Sequence, residues 1–189
     1  MSSVVSGEMD DDRAIVARQL GRAPRALRRV AVRCPHGWPA VTEQEPYDAE
    51  GHPFPTTYYL TCPRLVAALA RLEAAGGVER WSRAQEEDSE LARSLDRATD
   101  EQRRVRRDLA GERQGKDGGA SLDLGIAGSR SPGRLKCLHA HAAFALARPG
   151  YVLGERILAE VDPLWPADRC CSEALGDPQP TIKPLASAR

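Results

Sequence analysis

The amino-acid sequence predicts an α+β fold, a small antiparallel sheet within residues 27–62 packed by four or five helices. Three observations carry this. Short alternating or β-branched runs gather early in the chain, runs of helical period follow them, and prolines and glycines separate one from the next.

The elements follow in order. Residues 1–10, "MSSVVSGEMD", lack periodicity and read as a disordered tail. Asp11 or Asp12 would cap a short helix carrying Ile15, Val16 and Leu20, which Gly21 and Pro24 end. "LRRVAVRC" at 27–34, "AVTEQEP" at 40–46 and "TTYYLTC" at 56–62 read as three strands, separated by the turn residues "PHGWP" and "DAEGHPFP". "PRLVAALARLEAAGG" puts Pro63 at the first helical position, where its missing amide leaves no bond unmade. It spaces Leu65, Val66, Leu69 and Leu72 on one face and stops at Gly76-Gly77.

From Val78 to Leu109 a charged helix carries Leu91, Leu95, Ala98, Gln102, Val105 and Leu109 at four-three spacing, a seam suited to packing on a neighbouring helix. Residues 111–133 are rich in Gly and Ser and read as a flexible loop, although "LDLGIAG" could fold back onto the core. Helices at 134–148 and 152–162 follow, the last ended by Pro163, and 172–189 read as a second disordered tail. Residues 11–171 therefore form the expected single α+β domain.

Composition narrows the function. The 27 basic residues balance the 27 acidic ones and 41% of the chain is apolar, so neither a membrane nor bulk nucleic-acid attraction is indicated. Between Arg13 and Arg33 lie seven arginines (Arg13, Arg18, Arg22, Arg25, Arg28, Arg29, Arg33) and no acid. The preferred reading is a solvated face neutralised by the acidic helices downstream; the competing one is a non-catalytic RNA- or protein-binding adaptor. The charged helix 79–110 would be a surface for a protein partner, although its interspersed charges read first as a solvent-exposed face. No signal peptide or membrane-length apolar run is present, so a cytoplasmic protein is expected. Five cysteines, an odd number, argue against a disulfide framework and for free thiols.

Those thiols carry the chemistry. Cys34 and Cys62 each end a strand and each precede proline, and Cys62 sits at the expected N-cap of the 63–75 helix, where the dipole favours thiolate. "RLKCLHAHA" at 134–142 is ambiguous. In a continuous helix Cys137 and His141 share a face and His139 points away, unless the helix starts near Leu138. Cys34, Cys62 and Cys137 could then converge with His139 or His141, and Cys170 or Cys171 of the vicinal pair could add a ligand. Such a set suits tetrahedral zinc or an iron–sulfur cluster. Two alternatives stay open: a buried structural Cys/His cluster, and an enzyme with Cys62 as nucleophile and His139 as base. His36 and His52 read as surface residues, Trp38, Trp81 and Trp165 as packing. No Walker loop, GxGxxG, GxSxG or HExxH occurs.

The blocks "RCPHGWP", "GHPFPTTYYLTCPRL", "GIAGSRSPGRLKCLHAHAA" and "PGYVLGERI" together resemble an uncharacterised bacterial family, best represented in actinobacteria and catalogued as domain of unknown function 501. The resemblance runs from about Ile15 to Cys171 and supplies no activity. It implies that Cys34, Cys62, Cys137, His139 and one of Cys170 or Cys171 belong to the family pattern, which strengthens the metal reading. The chain departs from the family's usual Gly-Ile-Gly-Gly at Ala127, and His36 stands where relatives often have an aromatic residue.

Overall fold

The strand Pro39–Gln44 (β2) lies in the middle of a three-stranded antiparallel sheet, between Leu27–Arg33 (β1) and Tyr58–Leu60 (β3). The computed structural model describes residues 3–131 and 133–172, so the expected tail at 172–189 lies, beyond Ser172, outside the described residues. Central position explains the burial: every residue of β2 is shielded, whereas the edge strand β1 keeps Arg28, Arg29 and Arg33 in solvent. Burying Glu43 and Gln44 requires partners. Arg29 grips Glu43 through bonds of 2.6 and 3.1 Å, and Gln44 Nε2 donates to Thr42 Oγ1 at 2.7 Å.

Among the described residues six helices pack around the sheet: Ser3–Leu20 (α1), Pro63–Ala74 (α2), Gly77–Glu87 (α3), Ser89–Ala110 (α4), Leu138–Ala147 (α5) and Val152–Ala159 (α6). The tail expected at residues 1–10 needs correction, because α1 is already helical at Ser3. Once Ile15 and Val16 anchor the helix in the core, each upstream residue joins it at the low cost of propagation, and no proline intervenes. Asp11 and Asp12 therefore lie inside the helix, and Asp12 pairs with Arg33 at 2.7 Å.

The single charged helix expected from Val78 is interrupted at Asp88, whose carboxylate accepts the Glu90 and Leu91 amides at 2.8 and 3.4 Å and caps α4. The seam of α4 starts as expected at Leu91, Leu95, Ala98 and Gln102, then moves to Arg106 and Ala110 in place of Val105 and Leu109. A straight helix repeats every 3.6 residues and so drifts off a 3.5-residue pattern. Arg106 is fully buried, donates to the Phe54 carbonyl at 2.9 Å, and burial lowers its pKa. The segment 111–133 forms three short 3-10 turns. Ile126, within "LDLGIAG", folds back into the core.

Helix α5 is the centre of the molecule. Its run "LHAHAAFALA" is apolar on all sides, and it packs on β3, α2 and α6 and touches the other two strands. The approach of α6 depends on Gly154, where a Cβ would stand 2.7 Å from the Ala145 Cβ and 2.8 Å from the His141 carbonyl. Ala127 has φ 60°, ψ 21°, a left-handed conformation that a side chain disfavours.

Two opposite changes follow for urea unfolding. Gly154→Ala is expected to destabilise by about 1–3 kcal/mol through overpacking. Ala127→Gly is expected to stabilise by about 1 kcal/mol through relief of the left-handed strain.

Candidate metal centre

Helix α5 begins at Leu138, so Cys137 is its N-cap in extended conformation (φ −160°, ψ 120°) and makes no capping bond of its own. That start decides which histidine Cys137 meets. Its sulfur lies 3.7 Å from His139 Nδ1, while His141 is turned into the core against the Tyr151 hydroxyl at 2.7 Å. Burial lowers His141 to about 4, so it stays a neutral, structural imidazole.

Glu73, in the last turn of α2, supplies what Cys137 does not. Its Oε1 accepts the Leu138 amide at 2.6 Å and the His139 Nδ1–H at 3.0 Å, while His139 Nε2–H donates to the Val66 carbonyl at 3.1 Å. One carboxylate thus caps the helix and holds the imidazole. The ligand atoms of Glu73, Cys137 and His139 all lie within 4.8 Å of one another.

The geometry suits a tetrahedral ion. At ordinary zinc bond lengths, tetrahedral angles separate N from O by about 3.3 Å and N from S by about 3.6 Å. The spacings here are 3.0 and 3.7 Å. An Nε2–H given to a backbone carbonyl is the usual outer support of a ligating histidine. Cys137 and His139 also line a cleft of 630 Å³ with Tyr58, Tyr59, Pro63 and Val66, so one side of the trio faces open space. A larger groove of 950 Å³, between α3 and residues 129–136, has neither cysteine nor histidine in its lining.

Without an ion the same trio is a charged pair. The Cys137 sulfur and then the Glu73 carboxylate raise His139 to about 9 against the opposing effect of burial. Burial would raise Glu73, yet the His139 bond and charge and the Leu138 amide hold it below the usual carboxylate range.

The other three candidate ligands lie elsewhere. Cys34 meets Cys170 at 3.7 Å and Cys62 meets Cys171 at 3.5 Å, sulfur to sulfur. Cys62 caps the start of α2 and Glu73 stands in its last turn, about 16 Å away along the axis at 1.5 Å per residue. The five residues expected as one ligand set (Cys34, Cys62, Cys137, His139, Cys170) are thus divided between two groups. Cys62 and His139, the expected nucleophile and base, each have other partners: Cys171 for the first, Glu73, Cys137 and Val66 for the second. The Cys171 sulfur and burial push the Cys62 thiol up, opposite to the effect of the helix start, while the bond to Cys62 lowers Cys171 to about 5. Burial raises Cys170 to about 12.

Sequence reasoning missed Glu73. Its signal was an acid in a C-terminal turn, where the helix dipole is unfavourable to a negative charge. The arginine-rich segment is largely occupied within the fold: Arg25 pairs with Asp48, Arg28 with Glu45, Arg29 with Glu43 and Arg33 with Asp12, while Arg13 donates to the Pro24 carbonyl. These acids lie in β2, just after it and in α1, and not in the downstream helices expected to neutralise the segment, because β1 is paired directly with β2. His36 also bonds inward, its Nε2 3.0 Å from the Pro166 carbonyl.

A small sheet packed on a largely buried helix, with a Glu/Cys/His trio at that helix's start, defines an α+β protein with a thiol-containing candidate site. The chain belongs to the family described as "Protein of unknown function (DUF501)", which matches residues 30–159. No curated protein and no solved structure matches it. Among the described residues no helix is long and apolar enough to cross a membrane.

In metal-free protein, His139 is expected to titrate by NMR near 9, and Glu73→Gln to lower that midpoint. The linkage sign follows. A raised histidine pKa stabilises fully below the unfolded value of 6.5 and loses that contribution as pH rises through about 9, whereas a depressed Glu73 loses its contribution as pH falls. The stability difference between wild type and Glu73→Gln should therefore be largest between the carboxylate range and about 6.5, and should shrink as pH rises from there to about 9. A pH-independent difference would contradict the pairing.

Proposed function

We propose that this is a cytosolic zinc-binding protein whose Glu73, Cys137 and His139 hold one ion, with a fourth position open to the adjoining cleft. The observation that carries the reading is the gathering of one carboxylate, one thiol and one imidazole within 4.8 Å beside open space. Three protein ligands and an exchangeable position are the arrangement of reactive zinc, whereas structural zinc is closed by four. The cleft walls suggest the ligand class: Pro63, Val66, Ala67 and Leu20 suit an apolar body, and its donor head would meet the ion.

A second reading rests on Cys137 itself. It stands at the start of a buried helix, 3.7 Å from His139 Nδ1, and lines the open cleft, where a cysteine nucleophile would meet a substrate. In this version the cysteine chemistry belongs to Cys137 and not to Cys62, and His139 acts as a fixed cation and not as a base.

Cobalt substitution separates the two. The zinc reading expects tetrahedral d–d bands and a sulfur-to-cobalt transition whose contribution from this centre is lost in Cys137→Ser and weakened in Glu73→Gln. It also expects zinc to slow alkylation of Cys137. Because the ion must displace the His139 proton, its affinity should rise about tenfold per pH unit for each proton released, up to about 9. Spectra unchanged by Cys137→Ser, with Cys137 alkylated rapidly whether or not zinc is added, would overturn the zinc reading and leave the nucleophile.

A further inference from the structure

Four cysteines remain outside that centre, and they meet as two pairs. Cys34, just after β1, lies 3.7 Å from Cys170, and Cys62, between β3 and α2, lies 3.5 Å from Cys171, sulfur to sulfur. Each pair is two thiols in van der Waals contact, wider than the roughly 2.05 Å of a disulfide.

Exposure separates the pairs. Cys34 and Cys170 are 5% and 4% exposed and Cys62 is 2% exposed, whereas Cys171 is only partly buried and is the member of the four that a solute can reach. The Cys62 thiol donates to Cys171 and so favours it as thiolate, and contact with the N-cap residue of α2 sets it near the positive end of that helix. An accessible thiolate backed by a buried thiol is the arrangement of a redox-active pair, in which the first sulfur takes the oxidant and the second closes the disulfide. Closure needs the sulfurs to approach by about 1.5 Å. Between Val161 and Cys170 the chain forms neither helix nor strand. It is held by a few polar contacts, Arg64 to the Pro163 and Leu164 carbonyls and His36 to Pro166, so it can follow the sulfur.

We propose that Cys171 and Cys62 form a redox-active pair that reduces a hydroperoxide, Cys171 as the attacking sulfur and Cys62 as the resolving one. The pair is separate from the Glu73 centre at the other end of α2 and does not rest on the zinc reading. The Cys171 thiolate attacks the peroxide: an S–O bond forms, the O–O bond breaks, and the alkoxide, or hydroxide from hydrogen peroxide, leaves and takes a proton from water. The Cys62 sulfur then attacks the Cys171 sulfenic acid. The S–S bond forms as the S–O bond breaks, and hydroxide leaves with the Cys62 proton as water. Two thiols thereby give two electrons to one hydroperoxide. A low-molecular-weight thiol returns them by exchange and ends as its own disulfide. Cys34 and Cys170, both buried, stay reduced.

The test is hydrogen peroxide titration of the full chain, reduced and freed of metal, with remaining thiols capped by N-ethylmaleimide and disulfides mapped by mass spectrometry. Cleavage after Glu43 and Glu50 separates Cys34 from Cys62, and Cys170→Ser resolves the vicinal pair. Wild type and Cys170→Ser are both expected to lose two thiols and to link Cys62 to Cys171, about tenfold or more faster than Cys34 is oxidised. Cys62→Ser is expected to stop at a Cys171 sulfenic acid, captured by a cyclic diketone; Cys62→Ala takes its place should the serine variant fail to fold. Linkage of Cys34 to Cys170 ahead of Cys62, sulfenic acid at Cys137 in place of Cys171, or retention of all five thiols in excess peroxide would overturn the proposal.

Discussion

The burial of most of α5 is the constraint from which the rest of the structure follows. Where a surface helix leaves its first amides to water, a buried one must find protein acceptors for them. Cys137, the N-cap residue, offers none, so the Leu138 amide is met by Glu73 from another helix. Two histidines ride on the same helix and are met the same way, His139 at the cleft by Glu73 and the Val66 carbonyl, His141 in the core by Tyr151. Aromatic edges complete the packing, Phe144 standing 5.5 Å from Tyr58 and 5.7 Å from Tyr151 in T-shaped pairs.

Helix α2 relates the two thiol groups. Its N-terminus carries Cys62 and receives Cys171; its first turn offers the Val66 carbonyl to His139; its last turn offers Glu73. Pro63 lets the helix start just after β3, which fixes Cys62 at the same end of the sheet as the turn holding Cys34, across β2 from it. A single rigid element therefore sets the register of both groups. Displacing α2 along its axis would disturb the acid that holds His139 and the thiol that meets Cys171 together.

Much of this was legible in the chain. The α+β class, the three strands, Pro63 and the Gly76 stop were visible because each has a local cause: alternation, a fixed φ, or a left-handed turn at φ 78°. Grouping the cysteines was not local. Whether Cys137 faces His139 or His141 turns on the helix starting one residue after the cysteine, and that start depends on Glu73, distant in sequence. The vicinal Cys170 and Cys171 could not be assigned separately, since adjacent side chains of an extended segment point to different sides and their partners are set by tertiary packing. The start of α1 and the drift of the α4 seam were missed for similar reasons, one from propagation out of a buried anchor, the other from the mismatch between 3.6 and 3.5 residues.

The proposed metal centre lies at the start of the buried helix. Anomalous scattering at the zinc absorption edge, from crystals grown without chelator or affinity metal, tests it most directly. A zinc peak is expected about 2.3 Å from the Cys137 sulfur and about 2.1 Å from a His139 nitrogen, with a Glu73 oxygen as third ligand. A map with no zinc density there, and His139 still bonded to Glu73 and Val66, would contradict it.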